Sequence, residues 1–347
     1  MNKLQLKIHR FLHWEYWPFA AVYYPILPIW FYYAVRARSF FFFNAANPSI
    51  KNGGMAMESK KDIYDLIPQQ FYPKTILVNS ADIVENTLQR MLQAGIEFPC
   101  IAKPDIGMKA LAVQQIHNIE QLVDYQNKLN RDFLIQEFID FPNELGIFYV
   151  RMPDHAAGKI TGIVSKEYLT ITGNGRDTKL QLIKNNPRSF SQLAQLEKMY
   201  GKELNAILPL DEKFILVPYG SHTRGAKFLD YSAKQNEKLQ QTFNQICTQV
   251  SGFYFGRLDI RYQSFEDLCE GKNFSIIEIN GAGAEPTHIY DPSHSVFFAW
   301  KEIIKHWSLL YRISIANKKK GAPFLSYSEG MEMLRDNKQL EAFLKTI

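Results

Sequence analysis

The sequence predicts a mixed α/β fold, with α+β character in the detail of its sheets. Short apolar segments rich in β-branched and aromatic residues recur along the chain, and segments with helical spacing of apolar residues lie between them. The clearest strands are residues 256–261 and 274–281, which we expect to lie side by side because a polar stretch ending in a turn joins them. The 347 residues, of which 46% are hydrophobic, suffice for one large domain or two to three ordinary ones.

Composition excludes some classes of function. The net charge of +5 is modest, and the sequence has no basic face with interleaved aromatic residues, so nucleic acid is not an expected partner. The three cysteines, Cys100, Cys247 and Cys269, form neither a CxxC zinc pattern nor a disulfide framework. We therefore expect free thiols and a reducing compartment.

Three polar side chains lie on the two neighbouring strands. Asp259 alternates with the apolar Leu258 and Ile260, so it points to the opposite face of its strand. Glu278 and Asn280 are two residues apart and share one face of the other strand. Oxygen ligands of this kind suit Mg²⁺, which prefers a few carboxylates together with phosphate oxygens and water. The alternative interpretation is a half-buried sheet whose acidic residues are solvated.

The pattern Gly256-Arg257-x-Asp259, followed by Glu278-x-Asn280 at the end of an apolar strand, resembles the metal-binding end of the ATP-grasp superfamily. It is most similar to the D-alanine–D-alanine ligase branch. The resemblance implies two subdomains that clamp ATP between them. It also implies that Asp259, Glu278 and Asn280 hold Mg²⁺, for which Mn²⁺ can substitute. Arg257 is then the catalytic residue that stabilises an acyl phosphate and a tetrahedral intermediate.

The resemblance extends to a nucleotide-binding strand. Residues 98–104 form an apolar strand around Lys103, and a lysine in such a place is costly unless it meets an anion. In the ATP-grasp superfamily this lysine contacts the phosphates of ATP. The next loop, residues 105–110, is glycine-rich in the family, whereas Lys109 and its neighbours replace most of the glycines here. We expect Lys103 and Lys109 to bind ATP, and we expect a further strand at residues 111–113.

A strand at residues 132–139 leads into the predicted adenine site. By resemblance, Glu137, Phe138 and Ile139 form the hinge that reads the adenine edge, and Glu144 is the carboxylate that binds the ribose hydroxyls. The residue types of this segment are common in any sheet. The assignment therefore depends on where the segment lies, after the lysine strand and before the metal-binding strands.

Further basic residues are candidates for contact with the transferred phosphoryl group. Arg176 follows two glycines in the loop at residues 171–178 and by resemblance reaches the γ-phosphate, whereas the alternative is a plain surface turn. Arg224 and Lys227 lie in a polar, basic segment at a position where many family members place a catalytic basic residue. His222 is a lesser candidate in the same segment, because a single histidine is more often structural.

The N-terminal region is hydrophobic and rich in aromatic residues. Residues 16–35 carry no charge and are long enough to cross the ~30 Å core of a bilayer, but Pro18, Pro25 and Pro28 interrupt them. The aromatic content is typical of a membrane interface, and basic residues flank both sides. We expect a helical segment that lies on, or re-enters, the cytoplasmic side of a membrane. The alternative is a buried helical pair within a soluble protein.

The predicted organisation is a membrane-associated segment with its loop at residues 1–54, a reduced region at 55–97, the ATP-grasp domain at 98–315 and a helical extension at 316–347. The resemblance implies a ligase that uses ATP and Mg²⁺ to activate a carboxylate as an acyl phosphate, which an amine or a similar nucleophile then attacks. Together with the N-terminal segment, it predicts an enzyme at a membrane surface, with its catalytic domain on the cytoplasmic side and a small or amphipathic carboxylate as substrate. Two alternatives are a nucleotide-binding regulatory module, suggested by the few glycines around Lys109, and a kinase that makes a phosphate ester.

Overall fold

A computed structural model describes residues 3–347 of the protein. Within this range eleven strands are present: β1 Thr75–Val78, β2 Cys100–Pro104, β3 Gln114–Ile116, β4 Phe133–Glu137, β5 Asn143–Val150, β6 Lys159–Glu167, β7 Leu169–Thr172, β8 Lys213–Val217, β9 Lys227–Asp230, β10 Phe255–Tyr262 and β11 Phe274–Asn280. The α-helices of the same range are α1 Lys3–Leu12, α2 Phe19–Tyr23, α3 Leu27–Ala37, α4 Lys60–Leu66, α5 Val84–Ala94, α6 Ile119–Leu129, α7 Lys179–Asn185, α8 Pro187–Phe190, α9 Leu193–Tyr200, α10 Glu237–Gln249, α11 Phe265–Cys269, α12 Val296–Lys319 and α13 Tyr327–Leu344.

The strands form two main sheets and one small one. The first sheet has the order β1-β4-β2-β3, the second sheet has the order β11-β10-β5-β6-β9, and β7 pairs with β8 alone. All of these pairings are antiparallel. The predicted α/β class, with α+β character in its sheets, is confirmed, and the two strands predicted to be neighbours, β10 and β11, pair directly.

The second sheet has one apolar face, and this face determines where its polar residues point. Leu258 and Ile260 of β10 are fully buried in a cluster that includes Phe243 of α10. A shift of the strand by one residue would expose both side chains, at a cost of about 1.5–3 kcal/mol each. Because side chains alternate along a strand, Asp259 is held on the opposite face.

The loop after β2 differs from the prediction. The expected strand at residues 111–113 is wrong, because β3 begins only at Gln114. Lys109, Ala110 and Ala112 have φ angles of 55°, 54° and 54°. This left-handed backbone interrupts strand pairing and is unfavourable for residues that carry a Cβ. The loop thus turns tightly without the glycines that usually permit such a backbone.

The N-terminal helices pack against α12 in the body of the protein. The predicted aromatic-rich helical region is confirmed, and its prolines lie at helix boundaries. Trp14 Nε1 donates to the His294 carbonyl at 2.7 Å, and Trp300 Nε1 donates to the Val22 carbonyl at 2.8 Å. A shared apolar cluster buries Trp14, Val22, Tyr23, Ile26, Ile289, Ala299 and Ile303. Across residues 3–347, no helix combines the length and the apolar character needed to cross a membrane.

Candidate active site

A cavity of about 990 Å³ lies between the first and second sheets. Lys103 lines it from β2 of the first sheet, and Arg257 and Asp259 line it from β10 of the second sheet. Tyr23 and Trp30 of the N-terminal region also form part of its wall. Small-molecule sites have volumes of roughly 300–1,000 Å³, so this cavity is large enough to bind a small molecule.

Three oxygen-bearing side chains meet on one wall of the cavity. Asp259 lies directly opposite Glu278 in the register of β10 and β11, and Asn280 Nδ2 donates to Asp259 Oδ2 at 3.2 Å. In the described part of the chain, no three His, Cys, Asp or Glu side chains cluster in an arrangement that could hold a metal ion. The predicted set instead combines two carboxylates with an amide oxygen. Such a set of hard oxygen donors fits Mg²⁺, which takes one or two carboxylates and completes its shell with phosphate and water.

Two cations bracket Asp259. Arg257 donates from Nε and Nη2 to the two Asp259 oxygens at 2.9 and 3.0 Å, and Lys166 Nζ lies 3.0 Å from Asp259 Oδ1. Burial alone would raise the pKa of the Asp259 carboxyl, but Arg257 and Lys166 outweigh burial and hold that pKa well below its usual range. The carboxylate is therefore ionised at neutral pH, as a metal ligand has to be.

Lys103 lies buried at the opposite side of the cavity. Its Nζ donates to the Tyr64 hydroxyl at 2.8 Å, to Gln136 Oε1 at 2.9 Å and to the Ile277 carbonyl at 3.3 Å. Burial lowers the pKa of this ammonium group to about 8. These neutral partners orient the side chain without neutralising it, so an anion bound in the cavity would relieve the cost of burying the charge.

The predicted hinge also lines the cavity. Glu137 ends β4 at the rim of the cavity. Phe138 and Ile139 follow it, and the Ile139 carbonyl accepts a hydrogen bond from Arg261 Nη1 at 2.8 Å. Glu144 lines the same cavity, but its carboxylate accepts from Lys166 Nζ at 2.9 Å and from the Tyr168 hydroxyl at 3.1 Å. The structure therefore brings the predicted adenine, ribose and metal residues to one cavity, with Glu144 already engaged by two donors.

Lys109 lines the cavity as well, whereas three other predicted basic residues do not. Lys109 Nζ pairs with Glu341 Oε1 of α13 at 2.9 Å. Arg224 Nη2 donates to the Ala110 carbonyl at 3.0 Å and so contacts the backbone of the loop that follows β2. Lys227 lies 3.9 Å from a carboxylate oxygen of Glu167 on the neighbouring strand.

Arg176 lies in the connection between β7 and α7, and its backbone N–H donates to Asn174 Oδ1 at 3.1 Å. Neither this arginine nor Arg224 or Lys227 lines the cavity. All three residues lie on segments that the sequence predicts to be flexible or polar. The distance of such a segment from a site depends on long-range contacts, which the spacing of residues along the sequence does not reveal.

His222 connects the cavity to the N-terminal region. Its Nε2 lies 3.3 Å from Glu15 Oε2, and its ring stacks on Tyr290 with 4.8 Å between the centroids. Glu15 is also paired with Arg188 Nη2 at 2.7 Å. Burial alone would raise the pKa of Glu15, but His222 and Arg188 lower it. The N-terminal region, predicted from its composition as a membrane segment, is thus also a wall of the cavity.

Lys166 is a charged cavity residue that sequence reasoning missed. Its side chain is only 5% exposed and lies between the carboxylates of Glu144 and Asp259. Burial alone would lower the pKa of its ammonium group, but the two carboxylates outweigh burial and raise that pKa. A signal was present in the sequence, since a lysine that closely follows Ile163 and Val164 on a strand is unusual unless it is paired.

The sequence matches no protein-family model and no curated protein. Three solved structures of ligases and a synthetase align with the fold of this chain at low sequence identity. D-alanine–D-alanine ligase from Bacillus anthracis aligns with a TM-score of 0.44 and 10% identity over 82% of this chain and 72% of that chain. VanG D-Ala:D-Ser ligase from Enterococcus faecalis aligns with a TM-score of 0.43 and 11% identity over 75% of this chain and 62% of that chain.

A bifunctional glutathione synthetase from Pasteurella multocida aligns with a TM-score of 0.40 and 14% identity over 74% of this chain and 38% of that chain. The chain thus spans less than two thirds of the length of VanG and of this synthetase.

Proposed function

We propose that the protein is an ADP-forming carboxylate–amine ligase that depends on ATP and Mg²⁺. One observation carries the proposal: Lys103, Arg257 and the oxygen donors Asp259, Glu278 and Asn280 all line one cavity between two sheets. Transfer of a phosphoryl group needs fixed positive charge and a metal site close together, and this cavity combines cationic side chains with oxygen donors for a metal.

The residues divide into two groups by what they would bind. Asp259, Glu278 and Asn280 would hold Mg²⁺, which supplies positive charge to the phosphate oxygens when it is bound. Lys103 would contact the phosphates from the first sheet, because it is a buried cation without a carboxylate in its hydrogen-bonding set. Arg257 keeps its guanidinium beside the metal ligands through its two bonds to Asp259, where it can stabilise the phosphoryl and acyl oxygens.

The reaction has two displacements and needs no nucleophile from the protein. A carboxylate oxygen of the substrate attacks the γ-phosphorus of ATP, and the bond to the ADP oxygen breaks. The amine, which arrives as an ammonium ion, loses one proton to solvent before its nitrogen attacks the carbonyl carbon of the acyl phosphate. The bond from carbon to the phosphate oxygen then breaks, and the nitrogen loses a second proton to solvent. Positioning and charge neutralisation by Lys103, Lys166 and Arg257 account for the catalysis.

A turnover assay tests the proposal. Purified protein is incubated with Mg²⁺, ATP and pooled cell metabolites with lipid extract, and release of ADP and phosphate is measured. We expect turnover that requires the extract and that falls at least a hundredfold in Glu278→Gln, which removes a metal ligand. The exposed Glu212→Gln makes the same chemical change away from the cavity and should retain full activity. Extract-independent release, or equal activity of both variants, would refute the ligase proposal.

One observation favours a second candidate, a nucleotide-binding regulatory module. Lys109 Nζ is held by Glu341 at 2.9 Å, which weakens its availability for phosphate. Under this alternative the protein binds Mg²⁺-ATP in calorimetry but releases no ADP with any extract fraction. Glu341→Gln, which frees Lys109, would then tighten ATP binding without producing turnover.

We also propose that the N-terminal region holds the catalytic cavity at an anionic membrane surface. Leu4, Ile8, Phe11 and Leu12 lie on one side of α1, and each is at least 52% exposed. Exposed basic residues, among them Lys7 and Arg10, lie on the same helix. An amphipathic helix with apolar and basic exposed residues is typical of helices that lie in the plane of a lipid interface. A carboxylate substrate with an apolar portion would then meet the cavity at the lipid surface.

Sedimentation with vesicles tests this second proposal. The intact protein should sediment with vesicles of phosphatidylglycerol and phosphatidylcholine, and less with phosphatidylcholine alone. Phe11→Gln is expected to weaken binding about tenfold, because burying a phenyl ring contributes roughly 1.5–3 kcal/mol. Leu210→Gln changes a 69% exposed residue elsewhere and should bind as the wild type does. Failure of the wild type to sediment with either vesicle would refute membrane attachment and leave the ligase proposal intact.

A further inference from the structure

The loop after β11 brings a carboxylate without a cationic partner into the cavity. Glu285 lines the cavity five positions beyond Asn280, and its backbone carbonyl accepts a hydrogen bond from Arg257 Nη1 at 3.3 Å. The Glu285 side chain therefore starts beside the residue that the proposed reaction uses to stabilise the acyl group. Any substrate bound to this side chain would lie next to Arg257.

Two tyrosines hold the Glu285 carboxylate in place. The Tyr23 hydroxyl donates a hydrogen bond to Glu285 Oε1, and the Tyr290 hydroxyl donates to the same oxygen at 3.3 Å. Burial, and next the charge of Glu285, raise the pKa of both phenols well above 10. Both tyrosines therefore stay neutral at pH 7 and orient the carboxylate without neutralising it.

The ion pairs of the cavity do not include Glu285, and the charge of Arg257 acts on its carboxylate only at longer range. Among residues 3–347 no lysine, arginine or histidine forms an ion pair with this carboxylate, whereas Arg257 is paired with Asp259, and Lys166 is paired with Glu144 and Asp259. A carboxylate in a partly buried, apolar setting is costly without a cation. The setting includes Tyr23 and Trp307, whose ring centroids are 6.2 Å apart and whose side chains line the cavity.

A second polar group close by also lacks a partner. Thr287 lines the cavity two positions after Glu285 and is only 7% exposed. Its Oγ1 is buried and makes no hydrogen bond to any described residue. Buried hydroxyl groups are nearly always satisfied in folded proteins, so this oxygen points to a ligand that supplies the missing hydrogen-bond partner.

We propose that Glu285 binds the ammonium group of the amine substrate, that Thr287 hydrogen-bonds to the polar end of the same molecule, and that Tyr23 and Trp307 contact its apolar body. This inference rests on the proposed ligase function and names the second substrate as a cationic primary amine with an apolar or aromatic body. The N-terminal region is then part of the amine site, because Tyr23 both orients Glu285 and lines the pocket.

Calorimetry with a matched pair of probes, 2-phenylethylamine and 2-phenylethanol, tests the inference on the full-length protein at pH 7 without ATP. The two probes share an aromatic body and differ in the ammonium group, which a carboxylate should favour by a charge-assisted hydrogen bond. We expect the amine to bind the wild type about tenfold more tightly than the alcohol. Glu285→Gln keeps an oxygen for Tyr23 and Tyr290, so it should abolish the preference and leave the affinity for the alcohol within about twofold.

Glu212→Gln is the matched control and should keep the preference of the wild type for the amine. Equal affinities of the wild type for the two probes, no binding of either probe, or a preference that survives in Glu285→Gln would overturn the inference. Because the titration contains no ATP, a failure here is separate from a failure of the ligase proposal, which is measured by extract-dependent release of ADP.

Discussion

Replacement of Lys166 by methionine tests whether the charge network of the cavity is also a structural element. Its Nζ lies 2.9 Å from Glu144 Oε1 and 3.0 Å from Asp259 Oδ1, and all three side chains are largely buried. Lys166→Met keeps most of the volume but removes the charge that both carboxylates share. Arg257 still pairs with Asp259, so Glu144 is the group that loses the one cation that pairs with it among residues 3–347. Breaking one buried pair in this way costs about 3–5 kcal/mol, and we expect the free energy of unfolding to fall by about 3 kcal/mol.

Urea denaturation followed by circular dichroism at pH 7 measures this change. Lys159→Met is the control, because Lys159 lies at the exposed start of the same strand. It should alter the free energy of unfolding by no more than about 0.5 kcal/mol. A loss below 1 kcal/mol in Lys166→Met would mean that water screens the network, and it would refute the buried, charge-balanced description of the cavity.

Three other outcomes follow from burial and backbone geometry. Burial lowers the pKa of His306 to about 4, whereas a histidine in the unfolded chain has a pKa of about 6.5. The free energy of unfolding should therefore fall as the pH drops from about 6.5 towards 4. An NMR titration midpoint of the folded His306 near 6.5 would contradict this expectation. Burial raises the pKa of the Cys100 thiol to about 11, so a thiol reagent at pH 8 should label it only after denaturation, and rapid native labelling would show that the site opens. Gly54→Ala should lower the free energy of unfolding in urea by about 2 kcal/mol or more, because φ is +76° and the new Cβ would lie 2.7 Å from the Gly281 Cα. Gly321→Ala, where a new Cβ would have no atom within 4 Å, should lower it less. Equal losses of stability in the two variants would contradict the steric reason.

Alternation along strands was enough to predict which polar side chains share one face at the centre of the candidate site. Asp259, Glu278 and Asn280 could be assigned to one face because their neighbours are apolar and burial of those neighbours fixes the strand orientation. Lys103 could be recognised because a lysine within an apolar strand needs a partner. In each case a local pattern of two or three residues determines the direction of the side chain, and the fold only has to bring the strands together.

Long-range contacts account for what the sequence did not reveal. Glu285 meets Tyr23 across most of the chain, and His222 meets Glu15 in the same way. Nothing in the spacing of either segment encodes such a pairing. The aromatic composition of the N-terminal region predicted a membrane interface, but the same residues also fill the groove beside α12. Composition cannot separate these two ways of covering apolar surface, since both remove it from water.

Transfer of oxygen from the carboxylate to phosphate tests the proposed reaction most directly. The intact protein is incubated with Mg²⁺, ATP and pooled cell carboxylates whose oxygens have been exchanged for ¹⁸O, and the released phosphate is analysed by mass spectrometry. The proposed acyl phosphate predicts one ¹⁸O in each phosphate released with ADP, and no such phosphate from Glu278→Gln. Phosphate free of ¹⁸O, released while ATP is consumed, would contradict the ligase mechanism, since hydrolysis of ATP leaves the carboxylate oxygens in place and a kinase leaves its phosphate on the product.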